Sequence, residues 1–345
     1  MPVTGTLEAL SARYAQFLLR VVPDGLISPL PPFSSFRTIA YRRAEDRPVP
    51  PYAAFSLLKL DGGGFRPFDP ARRGLTVAGM LRHAARKAAE RAGWTPEKTN
   101  ACILGHAGHD KDRPVIEERR LAFVPLPSLE WRGAGSGGKV GAIRRALVTC
   151  FDQGGGAEVG WAMRYLSGVE LVQELRTRSA DGAETSEPTA LLSLIPQQDR
   201  AVQIYSRPSS SWATVTPVVL PGYDDPRHYR RRLDRGTSAA EQRRLLERLD
   251  TRTDQLLRSA IRQAGIPSGL ADSAELAWNL VGFWPGLERA GSYGVPDHLR
   301  RFPRYHVQIR WRSACGDSVW VPGPILIGGG RFYGIGLFAG LPEES

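Results

Sequence analysis

The sequence predicts an α+β fold built from antiparallel sheets. Several apolar runs are too short for helices and are bounded by Gly or Pro, which is typical of strands. Two longer stretches, 76–92 and 239–263, carry apolar residues at helical spacing. The elements do not alternate strictly, because the order is strand, helix, strand, strand, and a similar order then follows. We therefore predict two ferredoxin-like units of the β-α-β-β-α-β kind, although the two halves share no visible sequence repeat.

The chain of 345 residues is long enough for two domains. Apolar residues at helical spacing over 7–20 predict a short N-terminal helix, and the Pro-rich stretch 23–32 is typical of a connector. We predict this helix and connector over 1–35, a first ferredoxin-like unit over 36–207 and a second over 208–345.

The first unit is predicted to contain short strands around two helices. The helix over 76–92 has Thr76 as its N-cap, and Gly93 ends it. Ile103 and Leu104 are interpreted as the end of a strand that precedes a Gly-containing turn. The stretch 139–150 fits a strand or a helix, and the Gly-rich loops on both sides of it favour a strand. The other predicted elements are strands at 38–41, 53–60, 121–127, 191–195 and 201–204 and a helix at 159–171.

The second unit is predicted to begin with the apolar stretch 212–220. A long helix then runs from Ser238 or Ala239 to Gln263, and the stretch 305–311 alternates like a half-buried strand. The apolar face of this helix is predicted to consist of Leu245, Leu246, Leu249, Leu256, Leu257 and Ile261.

A glycine-rich segment, 323–338, follows the last of these strands. A short apolar run predicted as a strand leads into five glycines that enclose Arg331, Phe332 and Tyr333. Glycines let backbone N–H groups approach a phosphate, and the arginine and the aromatic residues can bind phosphate or stack on bases. A dinucleotide fold and a P-loop are excluded, because both need a helix directly after the glycines and only a few residues remain here. A tight hairpin that packs its aromatic residues in the core is the open alternative.

The net charge of +11 comes mostly from arginine and favours a polyanionic partner. The densest arginine run lies before and along the long predicted helix, and a solvated helix face explains it as well as an RNA-facing surface does. The three cysteines lie far apart, and no apolar run has the length of a membrane span. We therefore expect a cytoplasmic protein that does not bind membranes. The arginines of the run are Arg227, Arg230, Arg231, Arg232, Arg235, Arg243, Arg244, Arg248, Arg252 and Arg258.

Five short motifs, taken together with this element order, resemble the CRISPR-associated RAMP proteins. The motifs are the pair Gly108-His109 and the stretches 122–127, 143–145, 212–217 and 323–338. More narrowly, the chain resembles the subunit of type I-U (also called I-G) systems that fuses a backbone RAMP to the RNA-processing RAMP. The resemblance covers residues 36 to 340 approximately. Because the fused form is expected to be longer, we expect the backbone half to be missing or reduced to the helix at 7–20.

This resemblance implies paired ferredoxin-like folds, a C-terminal glycine-rich loop that holds CRISPR RNA, and RNA cleavage without a metal or other cofactor. A 2′-hydroxyl attacks the adjacent phosphate, which needs a base, an acid and a cation. We predict His109 as the general acid or base, His106 as its helper and His83 as the next candidate. The remaining histidines are interpreted as a phosphate contact (His228) or as structural (His298 and His306).

RNA binding is predicted at the glycine loop and on nearby basic residues. The partners implied are the repeat hairpin of CRISPR RNA and other subunits of a type I effector complex. The rival hypotheses are a non-catalytic RNA-binding subunit of the same fold and a generic enzyme of small substrates. A metal-dependent nuclease is disfavoured, because no clear cluster of carboxylates is visible. The predicted cations for the reaction are Lys111, Arg113, Arg119 and Arg120. The predicted RNA-binding residues are Gly329, Gly330, Arg331, Tyr333, Lys139, Arg144, Arg145, Arg231 and Arg232.

Overall fold

The computed structural model describes residues 49–105, 119–130, 138–175, 185–196, 199–222 and 238–342, together with five positions near the N-terminus. Those five positions (7, 8, 11, 14 and 15) are helical and fall within the helix predicted at 7–20. Contacts divide the chain into Met1–Arg47 and Pro48–Ser345, and the fold below is that of the second part. The strand predicted at 38–41 lies outside the described residues. Within the described ranges, no helix is long and apolar enough to span a bilayer.

The first sheet has five antiparallel strands in the order β2-β3-β1-β5-β4. If β4 is set aside as an added edge strand, the order β-α-β-β-α-β and the strand arrangement are those of a ferredoxin-like unit, as predicted. The strands are β1 Tyr52–Leu58, β2 Leu121–Glu130, β3 Lys139–Cys150, β4 Glu170–Leu175 and β5 Thr185–Ile195, and the helices are α1 Pro70–Arg91, α2 Pro96–Thr99 and α3 Gly156–Leu166.

The two faces of this sheet are buried against different partners. Alternate residues of a strand point to opposite faces, so Phe55 and Leu57 pack under α1 and α3, whereas Tyr52 and Ala54 face the second half of the chain. Because both faces are covered, β1 and the first part of β2 are almost continuously apolar. The residues predicted for the buried face of α1 are all buried, namely Val77, Met80, Leu81, Ala84 and Ala88.

The second sheet repeats this arrangement with one element missing. Strand β10 pairs with β6, β6 pairs with β9, and β9 also pairs with β8, all antiparallel. The order β10-β6-β9-β8, with the long helix after β6, is again ferredoxin-like. No second long helix stands between β9 and β10; residues 311–337, which include the glycine loop, occupy its place in the chain order. The elements are α4 Arg200–Ser206, β6 Ser211–Thr214, β7 Val218–Val219, α5 Ala239–Gln263, α6 Ser268–Ser273, β8 Glu275–Asn279, β9 Arg304–Arg310 and β10 Phe338–Gly340.

The two sheets share a core, because one cluster of buried residues draws on both halves of the chain. Val124 and Leu147 of the first sheet belong to it together with Ala213, Phe332 and Leu337 of the second half. The division predicted at residue 207 remains a prediction.

Local capping explains two errors in the predicted elements, one in a helix and one in a strand. Helix α1 begins six residues before the predicted start, because Asp69 accepts the N–H of Arg72 and Pro70 occupies the first turn. Residues 201–204, predicted as a strand, belong to helix α4, where the Asp199 side chain accepts the N–H of Ala201. A four-residue apolar pattern fits either a strand or a helix, and here the N-cap favours the helix.

Three further predicted elements differ in the structure, and long-range pairing explains the first of them. The helix predicted over 159–171 ends at Leu166, because β4 forms next and pairs with β5. Ile103 and Leu104 do not form a strand; they end a π-helix, Asn100–Leu104. The strand predicted before the glycines makes only an isolated bridge between Leu326 and Leu337.

Candidate functional site

Four of the sequence motifs meet in one narrow cleft between the two halves of the chain. Its lining includes Pro125 of β2, Ile143 of β3, Thr216, and Tyr333 with Gly334 of the glycine loop. The first turns of α1 close its other side. The cavity volume is ≈ 20 Å³, which is room for about one water molecule. The cleft is therefore a packed seam with no room for a ligand inside it.

Internal packing accounts for much of the glycine loop. Gly336 has φ 73°, and a Cβ there would overlap the carbonyl oxygen of Ile327. The hydroxyl of Thr216 donates to the carbonyl of Gly334 at 2.9 Å and accepts the N–H of Leu337 at 2.9 Å. Phe332 is buried in the shared core. The hairpin alternative is thus correct for this side of the loop.

The other side of the loop is accessible. Gly329, Gly330, Arg331 and Tyr333 are half-buried, whereas residues 321–328 and 334–339 are buried. The N–H of Gly329 donates to the carbonyl of Val219 at 2.9 Å, so this amide is used within the fold. Among the described residues, the N–H of Gly330 has no acceptor. The nest of N–H groups is therefore smaller than the glycine count predicts.

Helix α1 contacts the glycine loop through Arg82. Its guanidinium donates to the hydroxyl of Tyr333, and its Cζ lies 5.3 Å from the centroid of the Tyr333 ring. His83 is the next residue of the helix and is half-buried. Arg86 lies one turn further on, where it is exposed and pairs with Glu90 at 3.8 Å. The contact places Arg82 against the accessible side of the loop, and His83 follows Arg82 directly in the helix.

Arg120 also contacts the loop, but from inside the protein. Its guanidinium carbon lies 3.9 Å from the centroid of the Phe332 ring, and its side chain is buried. Gly105, at the end of the π-helix, lies against the same guanidinium. Arg119, the preceding residue, is exposed.

The other basic residues predicted to bind RNA lie on β3 and are partly neutralised. Lys139 is exposed. Arg144 pairs with Glu130 at 3.1 Å. Arg145 pairs with Asp199 at 3.2 Å.

The long helix α5 divides its arginines between two environments. Arg243, Arg244 and Arg248 are exposed. Arg258 instead pairs with Asp254 at 2.7 Å and donates to two carbonyls at the end of α6. Leu246, predicted on the apolar face, is 48% exposed, so the apolar stripe is narrower than predicted at the start of the helix.

His306 is structural, as predicted. Its Nδ1 lies 3.2 Å from the hydroxyl of Thr214, and its Nε2 lies 3.0 Å from the carbonyl of Glu288. Since that carbonyl only accepts, we assign the neutral tautomer with hydrogen on Nε2. Burial lowers the pKa of His306 to about 4, so the ring is neutral near pH 7.

Several predicted site residues lie outside the described residues, namely His106, His109, Lys111, Arg113, Arg231 and Arg232. The sequence analysis missed Arg82 and Thr216. Arg82 is separated from Tyr333 by 251 positions, so no local pattern could have indicated their contact. Thr216 lies within the motif 212–217, but its two hydrogen bonds depend on the closed loop.

The chain is similar to solved structures, two of which are described here, and to one family model. A Cas6b crystal structure matches with 11% identity and a TM-score of 0.39, covering 84% of this chain and 98% of the other. A Cas6 (TTHB231) product complex matches with 15% identity and a TM-score of 0.35, covering 84% and 99%. No curated protein matches the sequence. The model of the CRISPR-associated protein, GSU0054 family, matches residues 1–340. The chain therefore belongs to this CRISPR-associated family, as the resemblance of its motifs predicts.

Proposed function

We propose that the protein binds CRISPR RNA at the repeat hairpin and cleaves the precursor there. Membership of a CRISPR-associated family supports the RNA as the partner. The observation that carries the proposal is the contact between Arg82 of α1 and Tyr333 of the glycine loop. It joins a histidine-bearing helix to an accessible arginine and aromatic residue in one basic surface.

The accessible side of the loop has the chemistry for RNA binding. Arg331 is suited to a phosphate or to a base plane, and Tyr333 offers a ring edge beside Arg82. Exposed basic groups on α1 and β3 extend this surface. Each phosphate that they neutralise releases counterions, so RNA binding should weaken as salt rises.

The proposed reaction is cleavage by the neighbouring 2′-hydroxyl. The hydroxyl oxygen bonds to phosphorus, and its proton passes to a general base. The bond from phosphorus to the 5′-oxygen breaks, and a general acid protonates that oxygen. The products are a 2′,3′-cyclic phosphate and a 5′-hydroxyl, and the proposed reaction uses no cofactor. A nearby cation stabilises the charge that develops on the phosphoryl oxygens.

His109 with His106 remains the first choice for the acid and the base. Their segment follows Gly105, which lies against Arg120 and so next to Phe332 of the loop. The position of Gly105, which directly precedes His106 in the sequence, supports this choice. His83 is the second choice, because it lies on α1 beside the residue that contacts Tyr333.

After cleavage, contacts to phosphates and bases away from the cut persist, because they do not depend on the broken bond. We therefore propose that the protein keeps the processed RNA and carries it into a type I effector complex with other subunits. A non-catalytic subunit that only holds the RNA is the second candidate. The observation that favours it is that packing alone requires several glycines of the loop.

The test is incubation of the purified protein with labelled repeat hairpin RNA in EDTA. We expect cleavage by the wild type and its loss in His109→Ala, with the RNA affinity unchanged. His106→Ala and His83→Ala test the other candidates, and the exposed His298→Ala is the matched control. Tight binding without cleavage by the wild type would support the non-catalytic subunit. If the folded protein neither binds nor cleaves the RNA, both candidate functions are refuted.

A further inference from the structure

A second cavity, the β6–β9 groove, lies on the second sheet and has a volume of ≈ 570 Å³. Strands β6 and β9 contribute Ser211, Gln308 and Arg310 to its lining. Phe283, which follows β8, and residues 341–342, which follow β10, complete this part of the lining. Sites that bind small ligands typically have volumes of about 300–1,000 Å³. The β6–β9 groove is therefore large enough for a group of nucleotide size.

The register of the strands explains why the sheet is hollow at the β6–β9 groove. Gln308 of β9 lies directly opposite Ala213 of β6 on one side and Ala277 of β8 on the other. Residues that are directly opposite share one face of a sheet, so Gln308 stands between two methyl groups. Ser211 and Arg310 form the next row on this face. The small neighbours leave the half-buried amide of Gln308 accessible from above the sheet.

The aromatic side of the groove is held in place by the core that the two sheets share. Trp284 is buried in this core, and its indole N–H donates to the carbonyl of Ala213 at 3.3 Å. Phe283 directly precedes Trp284 and is half-buried against the same core. The packing of Trp284 therefore fixes the backbone that carries the Phe283 ring.

Three neutral polar side chains of the groove have no hydrogen-bond partner within the described ranges. They are the amide of Gln308 and the hydroxyls of Ser210 and Ser211. Ser209 differs, because its hydroxyl donates to the carbonyl of Ser211 at 2.9 Å. An amide offers both donors and an acceptor to the edge of a base, and serine hydroxyls are suited to phosphate or sugar oxygens. An apolar partner would instead bury these three groups without hydrogen bonds, which is unfavourable.

The charge of the groove favours an anionic ligand. Of the described residues that line it, two are arginines and none is a carboxylate. Arg310 is exposed. Arg312 pairs with Glu275 at 2.9 Å and donates to the hydroxyl of Ser318 at 2.8 Å, so its charge is partly neutralised. An arginine for phosphate, an aromatic ring for stacking and an amide for a base edge together fit an unpaired nucleotide.

We propose that the β6–β9 groove binds an unpaired nucleotide that flanks the repeat hairpin. Phe283 stacks on its base, Gln308 bonds to the base edge, and Arg310 contacts a phosphate. The inference rests on the proposed function, because it extends the RNA-binding surface beyond the glycine loop. The base must be unpaired, since a base in the stem is stacked and its edge is already hydrogen-bonded.

The groove is separate from the glycine loop, so the two can be tested independently. Ser211 begins β6, whereas Thr216, which bonds to the loop, follows the end of this strand. The probes are the repeat hairpin alone and the same hairpin with its unpaired flanks, at one salt concentration. RNAs that carry only the 5′ flank or only the 3′ flank identify which side occupies the groove.

We expect the wild type to bind the flanked RNA more tightly than the bare hairpin. Phe283→Ala should weaken binding of the flanked RNA on the order of 5-fold to 100-fold, because a stacking contact is lost. Gln308→Ala should weaken it on the order of 2-fold to 10-fold, through the lost hydrogen bonds. The affinity of both variants for the bare hairpin should be unchanged. Gln263→Ala, at an exposed glutamine of α5, is the matched control and should leave both affinities unchanged.

Failure of the proposed function is distinguishable from failure of this inference. If the wild type binds the flanked and the bare hairpin equally well, or if both variants lose affinity for the two RNAs in parallel, the groove does not hold the flank. If the wild type binds neither RNA, the proposed function is wrong, and ultraviolet crosslinking to a labelled single-stranded RNA of the flank sequence then decides the groove. A crosslink in the peptide that contains Phe283, lost in Phe283→Ala, would support the groove as a nucleotide site. The absence of such a crosslink would contradict it.

Discussion

Replacing Gly336 by alanine should destabilise the protein far more than an equivalent change at an open glycine. Gly336 has φ 73°, which costs an alanine roughly 1–2 kcal/mol. Its Cβ would also overlap the carbonyl oxygen of Ile327, and that oxygen belongs to the backbone and cannot rotate away.

The second contribution comes from the movement that relieves this overlap. The loop must shift, which strains the Ile327 N–H bond to the Gly336 carbonyl at 3.0 Å and the packing around it. Overpacking of this kind costs about 1–3 kcal/mol. The expected loss in the free energy of unfolding is therefore about 2–5 kcal/mol. Gly316→Ala is the control, because Gly316 has φ 89° and nothing lies within 4 Å of its Cβ, so only the roughly 1–2 kcal/mol of backbone strain applies.

Urea unfolding of the two variants and the wild type measures the difference. We expect a lower midpoint for Gly336→Ala than for Gly316→Ala, with similar slopes because both variants expose similar surface on unfolding. Equal midpoints would refute the argument that close packing with the 326–327 backbone requires this glycine.

Three further predictions concern single side chains. Tyr333→Phe removes the acceptor for Arg82 and should weaken binding of repeat RNA, as measured by filter binding, while costing about 1 kcal/mol of stability. Because burial lowers the pKa of His306 to about 4, the unfolded state binds a proton that the folded state does not as the pH falls below 6.5. The free energy of unfolding should therefore fall by at most about 3 kcal/mol between pH 6.5 and pH 4. Urea unfolding of the wild type across that pH range should show this loss of stability, and urea unfolding of His306→Gln should not show it. Arg144→Ala should change stability by less than about 1 kcal/mol, since its pair with Glu130 is exposed, but should reduce the salt dependence of RNA binding.

The sequence predicts most of the fold, because its strongest patterns are local. Strand β3 and helix α5 begin and end where the pattern predicts, since Gly-rich sequence precedes and follows β3 and Ser238 caps α5. Residues 201–204 were predicted wrongly, because four residues carry too little periodicity to outweigh the cap at Asp199. Strand β4 exists only through its pairing with β5, which no local pattern contains.

The candidate site is less predictable, because it depends on contacts between distant positions. The sequence indicates the glycine loop and its four accessible residues. It does not indicate that the N–H of Gly329 donates a hydrogen bond to the carbonyl of Val219. The contact of Arg82 with Tyr333 and the stack of Arg120 on Phe332 join the two halves of the chain. Such contacts follow from the packing of the two sheets rather than from spacing in the sequence.

The proposed reaction is tested most directly with a repeat hairpin RNA that carries a single 2′-deoxynucleotide at the cut. In EDTA, we expect the unmodified RNA to yield a 2′,3′-cyclic phosphate and a 5′-hydroxyl, and the deoxy RNA to bind equally well and remain uncut. Mass spectrometry of the product ends reads the result. Cleavage of the deoxy RNA at the same position, or product ends with a 5′-phosphate, would contradict attack by the 2′-hydroxyl.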